Sequence, residues 1–263
     1  MNITDEKTIS RILTEVYGKK IDIVAKSAWG YTTAAYYARA DQDELIVKVT
    51  KYSDIKLPKA EKDIYLSNVL HGQLPTPAYI QNLDGAYITL ENDLLIKVAK
   101  YIEGTAPFDM NLEIYRQVLG FLEKMHKIPL DMIKIDLPVS GKGEFFLHGD
   151  FTASNIIVSH NKIVGILDFE DSLRGPKEYD LARSAVFCWY RMKDISFRNI
   201  AVLTLNNSPE INQIEFLGFC KVHAKNHLDQ VITNKENYDN EQFWRDDYNF
   251  SKRALEEINT ITI

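Results

Sequence analysis

Apolar and polar positions repeat with two different periods along this chain, and the change from one to the other divides it. Near the start, Ile9, Ile12, Leu13 and Val16 fall at helical spacing, which predicts an amphipathic helix with Thr4 as a partial cap. IDIVA (21–25) reads as a strand, and SAWGYTTAAYYARA (27–40) leads into β-leaning residues before the turn signal Asp41-Gln42-Asp43. LIVKVT (45–50) alternates, so Leu45, Val47 and Val49 share one face while Ile46, Lys48 and Thr50 share the other. Residues 21–50 are therefore expected to form three antiparallel strands. A helix opened by Pro58 follows, with Ile64, Leu66 and Val69 apolar and Gly72 at its end. AYITLEND and LLIKVAKYI predict a further hairpin that turns at Asn92-Asp93.

EGTAP (103–107) is the best linker, because Gly and Pro cluster where strand character stops. Beyond it LEIYRQVLGFLEKMHKI puts Leu112, Tyr115, Leu119, Leu122 and His126 near one helical face. Two short apolar strands flank the turn His160-Asn161-Lys162, and three helical stretches fill the chain after Glu178. A strand-rich front before a helix-rich back predicts an α+β chain of two lobes, 1–103 and 104–263.

Composition narrows the class. The chain has 263 residues, 45% hydrophobic and 26% charged, which is ordinary for a globular protein with a substantial core. A net charge of −6 gives no global reason to expect a nucleic-acid partner. Cys188 and Cys220 are too few for a disulfide framework and suit a reduced cytoplasmic protein. No signal-peptide order opens the chain, and no apolar run approaches a membrane span of roughly 18 residues.

The chemistry concentrates in FFLHGDFTASNIIV (145–158) and IVGILDFED (163–171). Carboxylates beside buried strands need a partner or a task. If 155–168 is a hairpin, Asn155 enters it and Asp168 leaves it, and both come back beside Asp150. Two hard-oxygen side chains suit Mg2+, which takes few protein ligands and shares phosphate oxygens; no Cys/His cluster points to zinc. Phosphoryl transfer asks for a metal, a cation on the phosphates and a carboxylate that orients the attacking hydroxyl. Asn155 and Asp168 supply the metal oxygens, Lys48 the cation, Glu61 its helix partner, and Asp150 the hydroxyl-facing carboxylate.

HGDFTASN followed by ILDFED resembles the signature of the aminoglycoside phosphotransferase and choline kinase-like family, small-molecule kinases with a protein-kinase-like fold. Asn follows Asp by five residues, as in the protein-kinase catalytic loop, with Gly149 in place of that loop's Arg and DFE in place of DFG. RGPKEYDLARS (174–184) resembles the segment that follows, although Pro176-Lys177 departs from the usual Asp-Pro. The resemblance implies a nucleoside triphosphate held with Mg2+ between an antiparallel-sheet lobe and a mainly helical lobe. It implies a hinge at Lys100, Tyr101 and Ile102, whose backbone meets the base, and a phosphate loop over Ser27 to Thr33 that includes Gly30. The expected activity is transfer of the γ-phosphate of ATP or GTP to a hydroxyl of a small molecule, with an aminoglycoside as the leading acceptor. A metabolic kinase acting on choline, a sugar or an amino alcohol is the alternative, and a non-catalytic nucleotide-binding module stands behind both.

Several residues carry two readings. His148 is either a proton carrier or a structural residue bonded to the loop backbone, and the second is preferred. Glu170 and Asp171 either reach metal or substrate or serve as solvated caps. Lys48 is either an edge-strand charge or a phosphate contact. Residues 206–263 carry ten acidic and six basic side chains, a solvated surface or a bed for a cationic acceptor. Within them Trp244, Asp246 and Asp247 combine an aromatic ring with carboxylates and could hold an amino sugar or quaternary ammonium.

Overall fold

The computed structural model describes residues 5–26, 33–238 and 240–261. The chain splits into two units, Met1–Gly104 with Val164–Glu170, and Thr105–Ile163 with Asp171–Ile263. The first break falls inside EGTAP. The excursion of Val164–Glu170 into the first unit departs from the expected division at 103/104. Its cause is local bonding: the Ile166 amide donates to the Pro75 carbonyl and the Phe169 amide to the Asp63 carboxylate.

The first unit is built on a five-stranded antiparallel sheet in the order β1-β2-β3-β5-β4. Its strands are β1 (Asp22–Lys26), β2 (Ala34–Ala40), β3 (Asp43–Lys51), β4 (Ile88–Glu91) and β5 (Leu94–Lys100). Helix α1 (Glu6–Tyr17) starts at Asp5, whose carboxylate accepts from the Thr8 amide at 2.9 Å. Asp5 is thus the cap where the sequence suggested Thr4, which lies outside the described residues. A residue with two carboxylate oxygens and extended φ/ψ suits that position. Gly18 ends the helix in the left-handed region, φ +65°.

Alternation decides the two faces of the sheet. Leu45, Val47 and Val49 of β3 and Leu94, Ile96 and Val98 of β5 join Ile9, Ile12, Leu13 and Tyr17 of α1 in one buried cluster. Each fully buried Leu or Ile contributes about 1.5–3 kcal/mol, so Leu13→Ala would remove roughly 2–5 kcal/mol. The opposite face carries Lys48 and Lys97, directly paired in the β3–β5 register. The β4–β5 turn holds Asn92 and Asp93 at φ +52° and +59°, the left-handed pair that a two-residue hairpin requires. Helix α2 (Lys56–Leu70) belongs to the same unit and buries Ala60, Asp63, Ile64, Leu66 and Ser67.

The second unit is mainly helical: α3 (Leu112–His126), α4 (Lys177–Trp189), α5 (Phe197–Asn207), α6 (Gln213–Thr233) and α7 (Glu241–Thr260). Three short strands accompany them, β6 (Phe145–Leu147), β7 (Ile156–Ser159) and β9 (Leu173–Gly175), and β6 pairs with β9 antiparallel. Strand β8 (Lys162–Ile166) follows the turn at His160 and Asn161, both at positive φ, and carries the chain from the second unit into the first. Helix α5 was not among the expected helices. Ser196 caps it, and Phe197, Ile200, Ala201 and Thr204 are its buried positions, at helical spacing. Among the described residues no helix is long and apolar enough to cross a membrane.

Candidate active site

In the second unit a loop between β6 and β7 presents Asp150. Gly149 makes its entry possible. It has φ +81°, and a Cβ there would lie 2.1 Å from the Asp171 carbonyl oxygen, so only glycine fits. This accounts for Gly where the protein-kinase loop has Arg. Beneath the loop lies Asp180 of α4, fully buried. Its two oxygens accept the His148 and Gly149 amides at 2.7 and 2.8 Å. Burial alone would raise the Asp180 pKa, but His126, His148 and the Gly149 amide outweigh it and hold the carboxyl below its ordinary value. His126 Nε2 is 3.5 Å from Asp180 Oδ2. His148 is buried, and its Nδ1 accepts the Asp150 amide at 3.3 Å, in keeping with the structural reading.

Both oxygens of Asp150 are engaged. Asn155 Nδ2 donates at 2.8 Å to Asp150 Oδ2 and at 2.8 Å to the Asp150 carbonyl. Because the amide nitrogen faces Asp150, the Asn155 side-chain oxygen is left for another partner, as a hard-cation ligand requires. Arg183 of α4 donates from Nε at 2.7 Å and from Nη2 at 2.6 Å to Asp150 Oδ1. Sequence reasoning missed Arg183. Its one signal is the i+3 spacing from Asp180, which puts both on neighbouring turns of one helix. Both side chains of this ion pair are a little over a quarter exposed.

In the first unit the charges gather on the second face of the sheet. Asp63 of α2 is fully buried. Its Oδ2 accepts from Lys97 and, at 2.6 Å, from the Tyr79 hydroxyl, and its Oδ1 accepts the Phe169 amide at 2.9 Å. Burial opposes its charge, yet Lys97, Lys48 and these hydrogen bonds push the Asp63 pKa well down. Lys48 is half-buried. Burial works against its charge too, but Asp168, then Asp63 and Glu170, outweigh it and raise its pKa above the ordinary value. Asp168 stands at φ +70°, a left-handed conformation that is uncommon for a non-glycine residue and that its surroundings must hold in place. Glu170 lies 3.8 Å from Lys59 in an exposed pair.

Glu61 requires correction. It is exposed and lines a shallow groove with Leu57, Ile64, Tyr65, Val69 and Tyr87. The carboxylate that α2 buries near Lys48 is Asp63, two residues on and about 200° round the helix. Lys97 was also missed, although it stands as a lone charge in LLIKVAK much as Lys48 does in LIVKV. At the expected hinge, the Lys100 and Tyr101 amides already donate to the Ala78 and Glu44 carbonyls, each at 2.9 Å. Ser27 and Gly30 lie outside the described residues. Of the expected acceptor residues, Asp171 is exposed. Asp247 accepts the Tyr190 and Tyr238 hydroxyls on its two oxygens, and Asp246 accepts from Gln242 at 2.8 Å. The Trp244 ring stacks on Tyr248, carries Lys235 Nζ at 4.4 Å and donates from Nε1 to the Val231 carbonyl. Asp247 and Trp244 are thus engaged within the helical unit itself. Among the described residues no three His, Cys, Asp or Glu side chains cluster as a metal site.

Residues 135–202 match the phosphotransferase enzyme family. They contain Asp150, Asn155, Asp168, Asp180 and Arg183, so the part of the chain that holds these groups is similar to that family, in line with the resemblance drawn from HGDFTASN and ILDFED. No curated protein sequence matches the chain. Solved structures agree on the fold. A thermostable mutant of aminoglycoside phosphotransferase APH(4)-Ia, in a ternary complex with AMP-PNP and hygromycin B, superposes with TM-score 0.70 at 12% identity, covering 96% of this chain and 98% of that one. Spectinomycin phosphotransferase APH(9)-Ia, with ADP and spectinomycin, gives TM-score 0.62 at 14% identity over 99% of both chains. A putative aminoglycoside phosphotransferase from Ralstonia eutropha JMP134 gives 0.65 at 11% identity, covering 98% and 99%. The fold is the α+β, kinase-like fold of these phosphotransferases.

Proposed function

We propose that the chain is a Mg2+-dependent phosphotransferase that moves the γ-phosphate of ATP or GTP to a hydroxyl of a small molecule. The observation that carries this reading is Asp150, presented by a loop fixed from below by Asp180, within the segment matching the phosphotransferase family. In the reaction the acceptor hydroxyl gives up its proton, its oxygen bonds to the γ-phosphorus, and the bond from that phosphorus to the bridging oxygen breaks to release the nucleoside diphosphate. Asp150 orients the hydroxyl and takes the proton. Lys48 holds phosphate oxygens as a lysine charged at neutral pH. Asp168 and the side-chain oxygen of Asn155 would hold Mg2+, which when bound offsets the phosphate charge. With the Lys100 and Tyr101 amides already engaged, the Ile102 backbone is the hinge group for the base.

An aminoglycoside acceptor is the first reading, because neighbours of the same fold are seen with hygromycin B and spectinomycin. A metabolic acceptor is the second. It is favoured by Arg183, which sets a cation against Asp150, and by Asp247 and Trp244, whose partners lie within the chain. Labelled ATP and GTP offered with aminoglycosides, choline, sugars and amino alcohols test both readings. Phosphorylated aminoglycoside together with growth protection on expression supports the first. Transfer to a metabolic alcohol alone supports the second, and nucleotide binding without transfer to any acceptor or to water contradicts both.

A further inference from the structure

Lys48 and Lys97 sit directly opposite one another in the β3–β5 register, on the same face of the sheet. Two like charges in that relation repel, and the sheet tolerates them only if acids lie close. Asp63 is the buried acid on α2. Lys97 is 6% exposed and Asp63 0%, so each would be a costly isolated charge without the other. Lys97 and Tyr79 occupy one oxygen of Asp63, and the Phe169 amide occupies the other. Lys97 Nζ also lies 5.6 Å from the centre of the Tyr79 ring. Lys48 stands differently: it is half-buried where Lys97 is sealed.

We propose that Lys97 is a positioning residue for phosphotransfer: as the fixed counter-ion of Asp63 it keeps that carboxylate on the Phe169 amide and leaves Lys48 for the phosphates. The proposal rests on the reading of the chain as a phosphotransferase. One charge pair performs two tasks. It fastens helix α2 to the backbone beside Asp168, the residue put forward as a metal ligand, and it keeps Asp63, the buried acid of α2, from pairing with Lys48. Without Lys97, Asp63 would draw Lys48 to itself, and the phosphate contact would weaken.

Three variants of the full chain test this: Lys48→Met, Lys97→Met, and the double variant Lys97→Met with Asp63→Leu. The double variant replaces a buried ion pair with apolar groups, an exchange that folded proteins often tolerate, so it keeps the test open if Lys97→Met fails to fold. Hydrogen exchange at the Phe169 amide and affinity for a fluorescent ATP analogue with Mg2+ are the readouts. Lys48→Met is expected to weaken the analogue about tenfold or more while Phe169 exchanges as in wild type. Lys97→Met should weaken the analogue to a similar degree. In the double variant Phe169 should exchange at least about tenfold faster, since its acceptor is gone. Wild-type exchange at Phe169 in a folded double variant, or Lys97→Met affinity within twofold of wild type, would overturn the proposal. Failure of the wild-type protein itself to bind the analogue would count against the phosphotransferase reading instead, and the exchange measurement would still decide whether Asp63 holds Phe169.

Discussion

Asp63 and Asp150 are both carboxylates with both oxygens engaged, yet one is sealed and the other lies partly open. Asp63 is fully buried, with Lys97, the Tyr79 hydroxyl and the Phe169 amide as partners. Asp150 keeps roughly a quarter of its side-chain surface, with Asn155 on one oxygen and Arg183 on the other. A buried pair is rigid because breaking it strands a charge away from water. A partly exposed pair exchanges partners at little loss, since water replaces what is removed. The first arrangement suits a group that holds backbone in place. The second suits a carboxylate that must release a partner to meet a hydroxyl. Beneath Asp150 lies a sealed acid of its own, Asp180, so in each unit a buried carboxylate fixes a backbone segment next to a more exposed one.

The contrast can be broken most severely at the sealed acids. Asp180→Ala removes the acceptor of the His148 and Gly149 amides and is expected to lower stability by about 3–5 kcal/mol, read from chemical denaturation at pH 7. The Asp180 pKa is depressed from 3.8, so its contribution is complete above that pH and is lost as pH falls through the depressed value. The gap between wild type and Asp180→Ala should therefore close below about pH 3.8; an unchanged gap would contradict the role given to Asp180. Gly149→Ala comes next. It forces a Cβ against the Asp171 carbonyl at positive φ and should lower stability by roughly 2–4 kcal/mol. A neutral result in thermal unfolding would show that the loop moves freely. Arg183→Gln releases an open pair, so stability should shift by less than about 1 kcal/mol. Turnover should change by about tenfold or more as Asp150 loses its orienting partner. Equal effects on both would remove the distinction between the two acids. The smallest effect belongs to Glu61→Gln, within about 0.5 kcal/mol and with nucleotide affinity unchanged, as an exposed residue warrants. A large loss of affinity there would restore Glu61 as the partner of Lys48.

Much of this was legible from period alone. The alternation in LIVKVT placed Leu45, Val47 and Val49 on one face and Lys48 on the other, and β3 follows it. The Asn92-Asp93 turn and the linker at 103–107 were equally plain, because turn chemistry acts over a few residues. Glu61 was misassigned for a geometric reason. Two acids two residues apart on α2 point to nearly opposite sides, and helix register cannot be fixed without the packing partner. Lys97 had the same signal as Lys48 but lacked a motif to claim it. Asp180 was read from the sequence as a tie to the backbone of the catalytic loop, and it accepts the His148 and Gly149 amides. Arg183 was missed, because it acts through a helix some thirty residues from the loop it touches, a distance over which spacing carries no contact information. Trp244 and Asp247 looked free because the sequence does not show Lys235, Tyr190 and Tyr238 closing on them.

The central claim is that Asp150 directs an acceptor hydroxyl onto the γ-phosphate of a nucleoside triphosphate. Its most direct test is single-turnover transfer of labelled γ-phosphate by wild type and Asp150→Asn, with nucleotide affinity measured on both proteins. The expected result is transfer slowed by about 100- to 10,000-fold at nearly unchanged affinity; a variant that transfers phosphate at the wild-type rate would contradict it.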